Sequence, residues 1–236
     1  MKQFILLPML VCSVYFIACK SSSNESNTAN ISENKVKIEL ASSETSTGKY
    51  QIKSGMYTTR SKNDMMSAAM DNSTIVYFDD YGNKELTENI SKIEMSGHKM
   101  ETHSFSLTID KMIYNWDADK KTGSKYNIED MMNNMMNKNV DYEAMGEELK
   151  KQYNYKELGT ETILGKECKK ISVEVTKGST AVACTWKGIT MRSETSMGGM
   201  QMIIEVVDLH ENATIDASKL KVPSDVTFTE MKMPGK

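Results

Sequence analysis

The chain has 236 residues, enough for one sizeable domain and a tail, and a net charge of −3. Positive and negative charges nearly balance, so there is no basic field of the kind that holds nucleic acid, and no nucleic-acid partner is expected. Aromatic residues make up only 7% while methionine is frequent, at 20 residues; its flexible thioether suits an adaptable apolar surface and equally well replaces leucine in a core.

In chain order, Lys2 begins a short positive region and Phe4 to Ile17 form an apolar stretch too short to span a bilayer comfortably. It ends at Phe16-Ile17-Ala18-Cys19, which resembles the lipobox of bacterial lipoprotein signal peptides. Ile17 and Ala18 fit that pattern, and Phe16 departs from it at the outermost position. The resemblance implies cleavage before Cys19 and acylation of its thiol, with Cys12 lost in the signal. At about 0.8 kcal/mol per buried methylene, several acyl chains such as palmitate anchor a protein stably. Lys20 follows the cysteine where an Asp would retain a lipoprotein in the inner membrane, so outer-membrane delivery is expected. A single acid in Ser21 to Glu25 leaves either side of that membrane open. Residues 1–18 thus read as the signal peptide, 19–48 as a polar, flexible tether, and 49–236 as the folded domain.

The domain opens with an expected strand over Tyr50 to Arg60, then a second at Thr74 to Phe78. Asp79 to Lys84 reads as a turn, with Asp79 and Asp80 as turn formers rather than catalytic carboxylates. A strand from Glu85 to Met95 turns at Ser96-Gly97-His98 into one where His103, Phe105, Leu107 and Ile109 alternate, so that one face is buried. Asp110-Lys111 turns this into Met112 to Trp116.

From Ile128 to Tyr153 the period changes. Met131, Met132, Met135, Met136, Val140, Met145 and Leu149 recur at steps of mostly three to five, which lines one side of a helix. Asn127 is the expected N-cap, Glu129 and Asp130 lie in the first turn, and Lys150 and Lys151 in the last.

Strands resume with Gly165 to Val175, Ala181 to Trp186, Ile189 to Glu194 and Met202 to Leu209, with Gly198-Gly199 forming a hairpin tip. Cys168 and Cys184 are expected to pair in an oxidising compartment, closing a loop of about 15 residues worth roughly 3 kcal/mol. The simplest register sets Ile171, Val173 and Val175 opposite Cys184, Val182 and Thr180. That points Cys168 to the other face unless a bulge near Lys169-Lys170 intervenes.

The succession of meander, helix, Gly165-Lys-Glu-Cys168 strand, Trp186-Lys-Gly-Ile189 strand, long strand and final Val222-Pro223-Ser224 with Thr227-Phe228 resembles the LolA/LolB-like superfamily of outer-membrane lipoprotein-sorting proteins. Tyr77-Phe-Asp-Asp-Tyr-Gly82 is similar to an uncharacterised lipoprotein family of that fold. The resemblance covers about residues 49–230 and implies an α+β, mainly β domain: a curved antiparallel sheet or incomplete β-barrel with a helix covering its concave face. In the carriers that cavity takes acyl chains. No cargo-binding residue of the family matches a position here.

The expected function is therefore an envelope lipoprotein that holds a lipid or an acylated protein between sheet and helix. Met131, Met132, Met135, Met136, Val140, Met145, Phe105, Leu107 and Trp186 would line that cavity. A filled core with a purely structural role is the alternative. A further alternative is Cu(I) binding by thioethers and imidazole at Met95, His98, Met100, Met197, Met200 and Met202, where a hairpin and a turn explain the same spacing. No cofactor is called for. The three histidines lie in unrelated stretches, and neither a nucleophile elbow nor a phosphate loop is present, so no enzyme is expected.

Overall fold

The computed structural model describes residues 48–63, 69–95, 97–130, 150–176, 178–197 and 199–231. The chain divides into two compact units, Met1–Ser43 and Glu44–Lys236, and every described residue falls in the second. Twelve strands follow in sequence: β1 (Gly55–Asn63), β2 (Ala69–Asp79), β3 (Lys84–Met95), β4 (His98–Ile109), β5 (Met112–Asp117), β6 (Thr122–Asn127), β7 (Lys156–Ile163), β8 (Lys166–Thr176), β9 (Ser179–Trp186), β10 (Ile189–Met197), β11 (Met200–Glu211) and β12 (Thr227–Glu230). They form one open sheet in the order β12-β6-β5-β4-β3-β2-β1-β11-β10-β9-β8-β7. Every pairing is antiparallel except β12 on β6.

Tight turns explain why neighbours in sequence pair in space. Asp110-Lys111 joins Ile109 to its partner Met112 with φ of 51° and 64°, and Lys187-Gly188 joins Trp186 to Ile189 with φ of 45° and 84°. Two consecutive positive φ values twist a two-residue loop in the same sense as the strands it joins.

The α+β class with a helix over the concave face does not hold: the described residues are almost all strand, and no helix among them covers the sheet. Coil takes the covering role. Tyr50, expected in the first strand, lies instead in a coil before β1 and is fully buried. Its ring packs on Phe78 at 4.2 Å, and its hydroxyl donates to Glu85 Oε2 at 2.5 Å, with Lys49 Nζ 2.9 Å from the same carboxylate. The coil lies hard against the β9–β10 turn: Gln51 N donates to Lys187 O at 3.1 Å, and a Cβ on Gly188 would meet Lys49 O at 2.3 Å. Tyr50 and Ile52 thereby complete a core with Phe78, Ile163, Cys168, Cys184, Ile189, Met191 and Val206. A second coil, after β11, sets Ile215 and Leu220 on Leu86 and Leu107.

The Met-rich stretch enters and leaves as expected. Residues 128–130 are helical, and Asn127 Oδ1 accepts from Glu129 N at 2.7 Å and Asp130 N at 3.3 Å; residues 150–152 are helical again. Met131, Met132, Met135, Met136, Val140 and Met145 lie outside the described residues.

Cys168 and Cys184 form a disulfide with Cα atoms 5.4 Å apart. The observed register sets Ile171 on Ala183 and Lys170 on Cys184, one residue from the expected one. Cys168 shares parity with Lys170 and so lies on the same face as Cys184, without a bulge at Lys169-Lys170. The irregularity falls nearer the turn, between Glu174 and Thr176. Closing the 16-residue separation restricts the unfolded chain. Replacing both cysteines by serine is therefore expected to lower unfolding free energy by roughly 3 kcal/mol in urea titrations. An unchanged midpoint and slope would show that the bridge does not restrict the unfolded state.

Candidate functional site

From β1 to β6 the pairings run without a register shift over residues 55–61 of β1 and all of β2–β5, so parity assigns each side chain to a face. One face carries Tyr77, Leu86, Leu107 and Tyr114 in one row and Ile75, Glu88, Phe105 and Trp116 in the next, followed by Ile90 and His103. Leu107 is fully buried, and Phe105 stacks on Trp116 with centroids 5.1 Å apart. Trp116 in turn meets Phe228 of β12 edge-on at 5.9 Å. His103 packs on the Phe105 ring at 4.6 Å, and its Nε2 is 2.8 Å from Glu88 Oε1. Leu220 and Ile215 cover the part around Leu86 and Leu107. Ile75 and Ile90 lie on the same face outside that cluster and stay half-buried.

The opposite face has another chemistry. One row is Ser61, Asn72, Ser91 and Thr102; the next is Thr59, Thr74, Asn89, Ser104 and Asp117; a third is Tyr57, Val76, Thr87, Ser106, Asn115 and Ser124. Hydroxyls and carboxamides link across strands: Ser91 Oγ donates to Asn72 Oδ1 at 2.5 Å, Asn72 Nδ2 to Ser61 Oγ at 3.2 Å, and Thr74 Oγ1 to Asn89 Oδ1 at 2.9 Å. An open pocket of about 390 Å³ lies where these rows reach β4–β6, lined by Asn89, Ser104, Ser106, Asn115, Thr122 and Ser124. Phe105, Trp116, Asp117 and Lys120 also border it, and Lys120 is paired with Asp117. Sequence reading passed over this face, because its polar residues alternate with apolar ones as on any solvent-facing side.

Of the expected cavity residues, Phe105, Leu107 and Trp186 are described, and these three do not share one cluster. Phe105 and Leu107 share the cluster under Leu220, while Trp186 packs against the other core, around the disulfide. Lys187 and Lys166 stand over the Trp186 ring at 4.7 and 5.0 Å, and both ammonium groups are held by Glu211. Cys19 lies outside the described residues.

The two methionine–histidine groups occupy the same end of the sheet. Met95 pairs with His98 across the β3–β4 tip, and Met197 with Met200 across the β10–β11 tip. Strands β2 and β1 stand between β3 and β11, a separation of about 14 Å at the usual strand spacing. His98 and Met100 are exposed and Met202 is half-buried, while the side chains of Met95, Met197 and Met200 fall outside the described set. Among the described residues no three His, Cys, Asp or Glu side chains are grouped to hold a metal ion, and no helix is long and apolar enough to cross a membrane.

No protein-family model matches this chain, and no curated protein matches it. Similar solved structures include an uncharacterized conserved protein from Thermus thermophilus, with TM-score 0.46 and 10% identity over 76% of this chain and 91% of that one. The Pseudomonas aeruginosa MucA/MucB complex gives TM-score 0.41 and 10% identity, over 73% of this chain and 56% of the matched one. The Mycobacterium tuberculosis lipoprotein LppX gives TM-score 0.35 and 13% identity, over 70% and 90%. A lipoprotein thus stands among the solved structures to which the chain is similar. At scores of this size the likeness is one of general strand layout.

The Glu211 carboxyl is held below the ordinary carboxylate range, chiefly by the hydrogen bond from Lys166, with burial opposing and the charges of Lys166 and Lys187 adding to the effect. A carboxylate depressed in the folded state stabilises above its unfolded pKa, and that stabilisation is lost as pH falls through the folded value. Glu211→Gln is therefore expected to unfold at lower urea than the parent at neutral pH. The gap should close as the pH drops below the ordinary carboxylate range. A gap that persists unchanged under acid would show that the ion pairs are not its origin.

Proposed function

We propose that this chain is a lipid-anchored envelope protein whose sheet domain binds a hydrophobic ligand, an acyl chain or an acylated protein, on the apolar face of β2–β5. The observation that carries this reading is the mismatch between that face and its cover. Leu86 and Leu107 are sealed by Leu220, while Ile75 and Ile90, flanking the paired Glu88 and His103, leave further apolar surface half-buried outside the cluster. Burying apolar area that is still in contact with water gains about 25 cal/mol per Å². An acyl chain laid beside Phe105 would collect that gain without opening the core. The lipobox-like Phe16-Ile17-Ala18-Cys19 and the Cys168–Cys184 bridge support export to an oxidising envelope, with acylated Cys19 as the membrane tie, and Lys20 favours the outer membrane.

Uptake of cis-parinaric acid by the delipidated protein tests the reading. Saturable fluorescence enhancement is expected, and Ile90→Asp or Ile75→Asp should weaken it about tenfold or more, since each places a charge on the apolar strip. No uptake, or uptake indifferent to both substitutions, contradicts it.

A further inference from the structure

The hydroxyl- and amide-lined pocket lies on the face opposite the apolar strip, so a ligand bound there is a different one. We propose that this pocket binds a neutral oligosaccharide. Four features lead to that class.

The first is charge. Lys120 and Asp117 are the charged residues bordering the pocket, and they are paired with each other. No net field is left there to hold a phosphate or carboxylate. The second is hydrogen-bonding capacity. Ser104, Ser106, Asn115 and Ser124 each present both donors and acceptors, which matches a ligand whose hydroxyls also do both. An acyl chain would strand these groups without partners, at a cost of about 1–3 kcal/mol each.

The third is the way the polar ladder ends. Across β1–β3 the side chains satisfy one another, through Ser61, Asn72 and Ser91 and through Thr74 and Asn89. The ladder stops at Asn89 on the pocket border; among the described residues Ser104, Ser106, Asn115 and Ser124 add no further side-chain link. The same chemistry is thus internally paired on one side and open to a ligand on the other. The fourth is size. A volume of about 390 Å³ falls in the range of small-ligand sites and suits one or two sugar rings.

Binding is read by isothermal titration calorimetry, since the Trp116 ring stacks on Phe105 on the opposite face and Trp186 packs in the disulfide core. The test uses the full-length protein in a sugar-free detergent, lauryldimethylamine oxide. It is titrated with β-1,4-linked N-acetylglucosamine oligomers, β-glucan oligosaccharides and α-mannan oligosaccharides up to about 10 mM, a range that covers millimolar affinity. A saturable change with at least one of them is expected, indifferent to added salt. Asn115→Ala should weaken it about tenfold and Ser106→Ala severalfold, with the melting transition of each variant unchanged. If Asn115→Ala fails to fold, Ser106→Ala and Ser124→Ala carry the comparison. The proposal is overturned if no oligosaccharide binds. It is equally overturned if binding survives these substitutions, or if only anionic ligands bind and salt abolishes the effect. Parinaric acid uptake is read separately on the same variants after delipidation and removal of detergent, so loss of either ligand is distinguishable from loss of the other.

Discussion

Strand alternation without a slip is the constraint on which the rest of this molecule depends. From residues 55–61 of β1 through β6 the pairing keeps one register, so parity fixes the face of each side chain across the six strands. A one-residue slip of β4 against its neighbours would carry Phe105 and Leu107 to the polar side and Ser104 and Ser106 to the apolar side. Hydrophobic burial of Leu86 and Leu107 beneath Leu220 therefore fixes, at a distance, where the hydroxyls and carboxamides of the other face stand.

The two coil covers complete this arrangement. An open sheet has more apolar surface than its strands alone can hide. Tyr50 closes one core and ties its hydroxyl to Glu85, whose carboxylate is held by Lys49. Burial holds the Tyr50 phenol well above its ordinary pKa, with the nearby Tyr57 and Glu85 adding to the effect, so its proton remains in that hydrogen bond through neutral pH. Leu220 and Ile215 close the other core more sparingly and leave the margin at Ile75 and Ile90. An apolar margin on one face and a neutral polar pocket on the other give one sheet two unlike surfaces.

Local features were legible in the sequence because their causes are local. The Asp110-Lys111 tip, the Met197–Met200 pairing, the Asp79–Lys84 turn and the Asn127 cap each follow from residues a few positions apart. Tyr50 was misplaced because its alternation with Ile52 mimics a strand; only contacts with Phe78, Glu85 and the Tyr81 carbonyl, far along the chain, make it a plug. The cysteine register was off by one because the irregularity at Glu174–Thr176 precedes the turn and shifts every partner behind it. The covering helix was inferred from a fold resemblance and a methionine stripe, while coil segments with few apolar residues provide the cover among described residues. The polar face carried a readable signal, since Ser104, Ser106, Asn115 and Ser124 meet side by side once the hairpins are paired. Its meaning needed the pairing.

Intermolecular nuclear Overhauser effects from a methyl-protonated fatty acid to the perdeuterated, Ile-methyl- and aromatic-labelled protein test the assignment of faces most directly. Cross-peaks are expected from the acyl chain to Ile75, Ile90 and Phe105, and none to Tyr57 or to Tyr126, which lies on the face of Ser124 in β6. Cross-peaks confined to Tyr57 and Tyr126 would contradict that assignment.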